Sequence, residues 1–120
     1  MDFYISNNLT KSEFKAVLSR GANNSPLKHV AEGYPSLNFS FKKNTLSFTF
    51  FAANAKEPAH IADLEFYFCT RTDDRTATLQ SNVRPEVYAL TFKSEECSLT
   101  FASILSSYLK MRELNRRQFE

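Results

Sequence analysis

The chain has 120 residues and a mass of 13.8 kDa, the size of one domain with no room for a second core of ordinary size. Apolar residues at 42% and charged residues at 23% exclude a disordered tail, and a formal charge of +2 excludes a polyanionic nucleic-acid mimic and is too small to mark a dedicated nucleic-acid binder. The first residues lack a basic segment followed by an apolar one, no apolar run approaches a membrane span, and two cysteines without CxxC spacing are too few for a disulfide framework, so a cytoplasmic setting without membrane contact is expected.

In chain order, the first signal is a capping box. Thr10-Lys11-Ser12-Glu13 places a hydroxyl and a carboxylate where each can satisfy the other's backbone amide, and Leu9 and Phe14 are set as a hydrophobic staple. Phe14, Val17 and Leu18 form a stripe at helical spacing, while Arg20 and Gly21 suit a helix end, so a helix is predicted over 11–20. Ser25 as cap, Pro26 in the first helical position and Gly33 as terminator predict a second helix over 26–32.

From Leu37 the period changes to two. Leu37, Phe39 and Phe41 alternate with polar residues, as do Leu46, Phe48 and Phe50, and a tight turn at Lys43-Asn44 joins the two runs. That turn sets Phe41 beside Leu46, Phe39 beside Phe48 and Leu37 beside Phe50, all on one face, which is the consistency a hairpin requires. Residues 52–62 interrupt the alternation and read as the longest loop.

A strand over 63–70 follows, with Leu64, Phe66 and Phe68 on one face, then a turn at Asp73-Asp74 and a return strand over 75–80 that sets Leu79 opposite Phe68. Asn82 and Pro85 break the run, and a strand over 87–93 carries Tyr88, Leu90 and Phe92 on a single side. Beyond it, Ser94 either caps a helix from Glu95 onward or lies in a turn before a strand over 97–102. The strand is preferred, because it pairs Phe92 with Cys97, Leu90 with Leu99 and Tyr88 with Phe101 on one face. It also sets Cys69 and Cys97 on opposite sheet faces, where they cannot form a disulfide. From Ser103 the spacing of Ile104, Leu105, Tyr108, Leu109 and Met111 is helical to about Arg117, and a short strand over 3–5 is available to an edge.

Chemistry-bearing residues are few. His60, Asp63 and Glu65 lie close together, with His29 and Cys69 as the other ligand types, but no pair has a recognised metal-ligand spacing, and the strand reading puts both carboxylates on a solvated face. Cys69 with His60 or His29 is the one Cys–His arrangement available to nucleophilic catalysis, since Cys97 falls on the apolar face and reads as a small buried hydrophobe. Two glycines cannot build a phosphate-cradling loop, and no GxSxG is present. No catalytic, cofactor-binding or metal residue is therefore assigned.

Two features suit a partner surface. Lys110, Arg112, Arg116 and Arg117 stand against Glu113 and Glu120 on the C-terminal helix, either as a solvated face with cations near the negative end of the helix dipole or as an Arg-rich edge for an acidic protein surface or a phosphate backbone. Phe51 and Tyr67 break the alternation of their strands, so each is core if a helix covers that side and an interface anchor if it is exposed.

The expected architecture is α+β over a single domain, residues 1–120: an N-terminal helix pair, an antiparallel meander of about six strands, and a C-terminal helix packed on the sheet. The expected function is a small non-enzymatic inhibitor that occludes a protein partner, of the immunity-protein or phage and mobile-element anti-defence type. Two alternatives stand beside it: a nucleic-acid or ribonucleoprotein binder using the basic C-terminal helix, and a secretion or assembly chaperone presenting its sheet for strand addition.

Overall fold

The structure, a computed structural model, describes residues 4–9, 11–22, 25–53 and 58–117, with the backbone alone at 4 and 58–61. Eight antiparallel strands are followed by one helix: β1 (Tyr4–Asn8), β2 (Ala16–Ala22), β3 (Lys28–Ser40), β4 (Thr45–Ala52), β5 (Pro58–Asp63), β6 (Tyr67–Asp73), β7 (Thr76–Ser81), β8 (Glu86–Phe92) and α1 (Glu95–Arg117).

The expected N-terminal helix pair is absent. Residues 12–14 form only a single 3-10 turn, and β2 occupies the rest of the first predicted helix. Thr10, the expected cap, lies outside the described residues. Phe14, Val17 and Leu18 fit helical spacing, but Ala16 and Leu18 also fit a period of two, and these two are buried. Long-range pairing decides between the readings: β2 is bonded to β3 on one edge and to β8 on the other, which satisfies its backbone more completely than a short isolated helix would.

The second predicted helix is the first half of β3. Pro26 precedes the strand, and Gly33 lies inside it because β4 passes so closely there that a Cβ would stand 2.0 Å from the Phe51 carbonyl oxygen. β3 pairs with β2 up to Gly33 and with β1 from Ser36 onward. Pro35, which has no N–H to donate, falls in the gap between those two ladders, and its carbonyl accepts from Leu9 at 3.0 Å.

The β3–β4 hairpin forms, with Leu37, Phe39, Leu46, Phe48 and Phe50 all fully buried. Its register is corrected by two residues. A four-residue turn, Phe41–Asn44, replaces the expected two-residue one, so Phe39 pairs with Leu46 and Leu37 with Phe48. A slip of two leaves every side chain on its face, which is why alternation alone could not detect it.

Further along, the expected loop over 52–62 ends in β5, which pairs with β4; residues 54–57 lie outside the described set. The predicted strand over 63–70 is displaced. Residues 64–66 are a turn, so β6 starts at Tyr67 with that ring inward and Phe68 outward, and Leu79 pairs with Cys69 instead of Phe68.

Residues 97–102 belong to α1 and not to a strand. The Ser94 hydroxyl accepts the Cys97 N–H at 3.2 Å, Glu95 and Glu96 occupy the first turn, and Cys97, Phe101, Leu105 and Tyr108 fall on one buried stripe while Leu99 is 45% exposed. The opposite-face argument for the cysteines therefore fails, although both are free thiols. The helix does pack on the sheet as expected: the Phe101 and Phe92 ring centroids lie 5.4 Å apart, those of Tyr108 and Phe39 6.5 Å, and Leu105 joins the same buried cluster as Leu18, Leu79 and Leu90; burying each such side chain is worth ~1.5–3 kcal/mol.

The strand order β5-β4-β3-β2-β8-β7-β6 explains the shape. Laid flat, its two outer strands would lie about 29 Å apart, at roughly 4.8 Å per spacing. They are joined by residues 64–66 alone, and the four chain steps from Asp63 to Tyr67 reach at most about 14 Å. The sheet must therefore curl until its ends approach, while the Leu64 N–H, bonded to the Leu46 carbonyl at 2.9 Å, carries the β4–β5 ladder one step into the turn.

Candidate functional site

The last turns of α1 are tied to two turns of the sheet by side chains that stand close together on the helix. Asn115 is buried, and its amide donates both to the Phe41 carbonyl and to Asn44 Oδ1, each at 2.9 Å, which holds the β3–β4 turn. Arg112 Nη1 donates to the Leu64 carbonyl at 3.1 Å, which holds the β5–β6 turn. Between these two turns and the helix lies a cleft of about 350 Å³.

The β5–β6 turn is built tightly. Tyr67 N–H donates to the Leu64 carbonyl at 3.1 Å, and Asp63 Oδ1 accepts the Glu65 N–H at 2.9 Å, a local Asx arrangement. Its third residue, Phe66, has φ 69°. Glycine is the residue that ordinarily fills such a position, because a Cβ in the left-handed region costs roughly 1–2 kcal/mol. Phe66 accepts that cost and still leaves its ring 59% exposed at the rim of the cleft.

The charges around the cleft balance. Lys43, Arg112 and Arg116 face Asp63, Glu65 and Glu113. Arg116 and Arg117 both reach Glu113, at 3.4 and 3.6 Å, as exposed pairs that contribute little to stability. A balanced cleft with an aromatic rim suits a polar peptide surface better than a phosphate backbone, which calls for an excess of cations.

The predicted partner residues are distributed unevenly about this geometry. Arg112 and Arg116 line the cleft, with Arg112 partly occupied in holding the turn, and Arg117 is exposed beside them on Glu113. Lys110 lies on the other flank of the helix, where it lines an apolar groove with Phe41, Met111 and Leu114. Phe51 is half-buried in β4 between Tyr34 and Pro58, away from the cleft. Tyr67 belongs to the core: its hydroxyl donates to the Glu86 carbonyl at 3.0 Å, and burial, reinforced by neighbouring Tyr88, pushes its pKa up to about 12.

The other chemistry-bearing residues have structural surroundings. Cys69 packs against the core, where burial pushes its thiol pKa up, and Cys97 Sγ–H donates to the Glu13 carbonyl at 3.0 Å. Asp63 and Glu65 are exposed turn residues, His29 is exposed, and the His60 side chain lies outside the described set. Among the described residues no group of three or more His, Cys, Asp or Glu is placed to hold a metal ion, and no helix is long and apolar enough to cross a membrane.

Three residues of the site escaped sequence reading: Phe66, Lys43 and Asn115. Phe66 alternates with Leu64 and Phe68 and so mimics a strand face; the one local signal against that reading is the Asx-forming Asp63 just ahead of it. Nothing in the residues near Asn115 marks it, since its partners are more than seventy positions away in sequence.

This fold is shared with a solved structure. The crystal structure of the Ran-binding domain of the nuclear complex component Nup2 from Ashbya gossypii is similar to this chain with a TM-score of 0.67, over 89% of this chain and 97% of that one, at 10% sequence identity. The solution structure of the PH domain of human oxysterol-binding protein-related protein 11 covers 92% of this chain and 82% of its own, with a TM-score of 0.48 and 11% identity. No family model and no curated protein matches the sequence. The chain thus has the fold of a Ran-binding domain, a curled antiparallel sheet with one C-terminal helix. At this level of identity the likeness extends to the fold alone, and the cleft residues are read from their own geometry.

Proposed function

We propose that this chain is a non-enzymatic protein-binding module that acts by covering a surface of its partner, and that the cleft between the β3–β4 turn, the β5–β6 turn and the C-terminal half of α1 takes part in the contact. An inhibitor of the immunity-protein or anti-defence kind is the specific form of that reading. The observation that carries it is Phe66: a large aromatic ring kept in water on a left-handed backbone, beside three cations and three carboxylates. A fold shared with a domain named for binding Ran supports the same reading.

The test is an affinity capture from the native host, with and without nuclease, using the wild type, Phe66→Ala, and the double variant Lys43→Glu with Arg116→Glu. Arg112 is left intact, because it ties the β5–β6 turn to the helix. The expected result is a protein partner that survives nuclease and moderate salt, bound roughly tenfold more weakly by each variant. Capture abolished by nuclease would overturn the reading in favour of the nucleic-acid alternative.

A further inference from the structure

On the opposite flank of α1, a free sheet edge runs beside an apolar groove. Among the described residues β1 is bonded to β3 alone, and none of them pairs with its outer edge, which there presents backbone donors and acceptors. Ile5 and Asn7 pair with Phe39 and Leu37, which face the core, so these two side chains point toward the helix while Ser6 points away and donates to Asn38. Asn7 Nδ2 donates to the Tyr108 hydroxyl at 3.0 Å, which fixes the spacing between β1 and α1.

The groove between them, about 230 Å³, is lined by Ile5, Ile104 and Met111. Past Ser107 and Met111 it continues into a second hollow of about 370 Å³ lined by Phe41, Lys110 and Leu114. From Ile104 to Leu114 the helix advances about 15 Å, the span of roughly four to five residues of extended chain. Among the described residues no carboxylate lines either hollow, and Lys110 is the one charged lining residue. The groove is therefore mainly apolar, with Asn7, Ser107 and Asn115 as its polar points, and cationic at one end.

We propose that the outer edge of β1 is a docking strip for an extended segment of a protein partner, which adds to the sheet as a further strand, drops alternate apolar side chains between β1 and α1, and sets an acidic residue against Lys110. Strand addition matches both halves of the surface: the edge supplies main-chain hydrogen bonds, and the groove reads every second side chain. The proposal rests on the reading of this chain as a protein-binding module, and it assigns the recognition to a different flank from the Phe66 cleft.

The probe is a pool of labelled synthetic peptides of the form X-Thr-X-Thr-X-Thr-Glu, where X is Ile, Val, Leu or Phe. Binding is followed by fluorescence anisotropy, and amide hydrogen exchange locates the bound peptide on the wild-type protein. The expected results are saturable binding and slowed exchange across β1. Of two N-methylated series, one at the X amides and one at the threonine amides, the series whose amides face β1 should bind roughly tenfold or more weakly, since it loses the ladder bonds. Met111→Glu, with circular dichroism confirming the fold, should weaken it by about as much, because a carboxylate is then buried in the groove. Lys110→Glu should weaken the Glu-ended peptides and spare their Gln-ended counterparts.

Absence of saturable binding, full affinity of both N-methylated series, or protection at β5 or β6 in place of β1 would each overturn the proposal. A host partner captured equally by the wild type and Met111→Glu would overturn it too, and would leave the protein-binding reading standing.

Discussion

Two turns of this molecule adopt the same unusual backbone and fill it with opposite residues. In the β3–β4 turn the left-handed residue is Asn44, at φ 52°; in the β5–β6 turn it is Phe66, at φ 69°. Asparagine visits this region readily, and here its side chain also accepts from Asn115, so the first turn is folding chemistry throughout. Phenylalanine has no such ease, and its ring is mostly in water. The difference separates a turn whose residue is accounted for by bonds within the fold from one whose exposed ring is not, which is the ground of the proposal that Phe66 serves binding.

The largest effects should lie beneath the first turn. Phe39→Ala or Phe48→Ala, each removing a fully buried ring, is expected to cost ~3–5 kcal/mol in a urea titration. A loss below about 1 kcal/mol would mean that this face is not the core on which both turns are hung. Asn115→Leu is expected to cost ~1–3 kcal/mol, because it strands the Phe41 carbonyl and Asn44 Oδ1 near a buried position. If that variant instead matches the wild type, the β3–β4 turn owes nothing to the helix, and the contrast between the turns loses one side.

What could be read in advance follows the same division. The hairpin faces, a turn one residue on from the expected Asp73-Asp74 (at Asp74-Arg75), the break at Asn82 and Pro85, and the inward side of β8 were all legible, because alternation and turn chemistry are local. β2 was not, since Phe14, Val17 and Leu18 fit a helical period while Ala16 and Leu18 fit a period of two, and the choice is made by β3 and β8. Residues 97–102 were ambiguous for the same reason, and the Ser94 cap was the better guide than the pairing of Phe92 with Cys97. Of the cleft, Arg112 and Arg116 were legible as cations late in a helix, but of the two only Arg116 is exposed as expected, and Arg112 is half-buried. Their roles were not: one clamps a turn, the other shares Glu113 with Arg117, and both facts depend on partners brought in by the fold.

A pH titration sharpens the comparison at the residue that follows Phe66. Tyr67 keeps its proton to about pH 12 in the folded chain, chiefly through burial, against an ordinary value of 10.0 when unfolded. The raised value favours folding fully below pH 10 and loses that contribution as pH climbs through 12. Stability should therefore fall more steeply between about pH 10 and pH 11.5 for the wild type than for Tyr67→Phe, read as denaturation midpoints. Parallel slopes would show that the inward ring is not shielded and that the β5–β6 turn is looser than its hydrogen bonds imply.

The smallest effect is the most discriminating, and it compares the turns directly. Phe66→Gly relieves a left-handed Cβ worth roughly 1–2 kcal/mol and loosens the unfolded chain by about 0.4–1, so a net gain of ~0.5–1 kcal/mol in stability is expected. Asn44→Gly relieves almost nothing and removes an acceptor from Asn115, so a loss of similar size is expected. The two substitutions should move the denaturation midpoint in opposite directions. Phe66→Gly should at the same time weaken capture of the protein partner, which is the signature of a residue kept for binding at the expense of the fold. A Phe66→Gly variant that loses stability would show that the ring packs well enough to hold the turn; Phe66 would then be a structural residue, and the cleft would be left without its aromatic anchor.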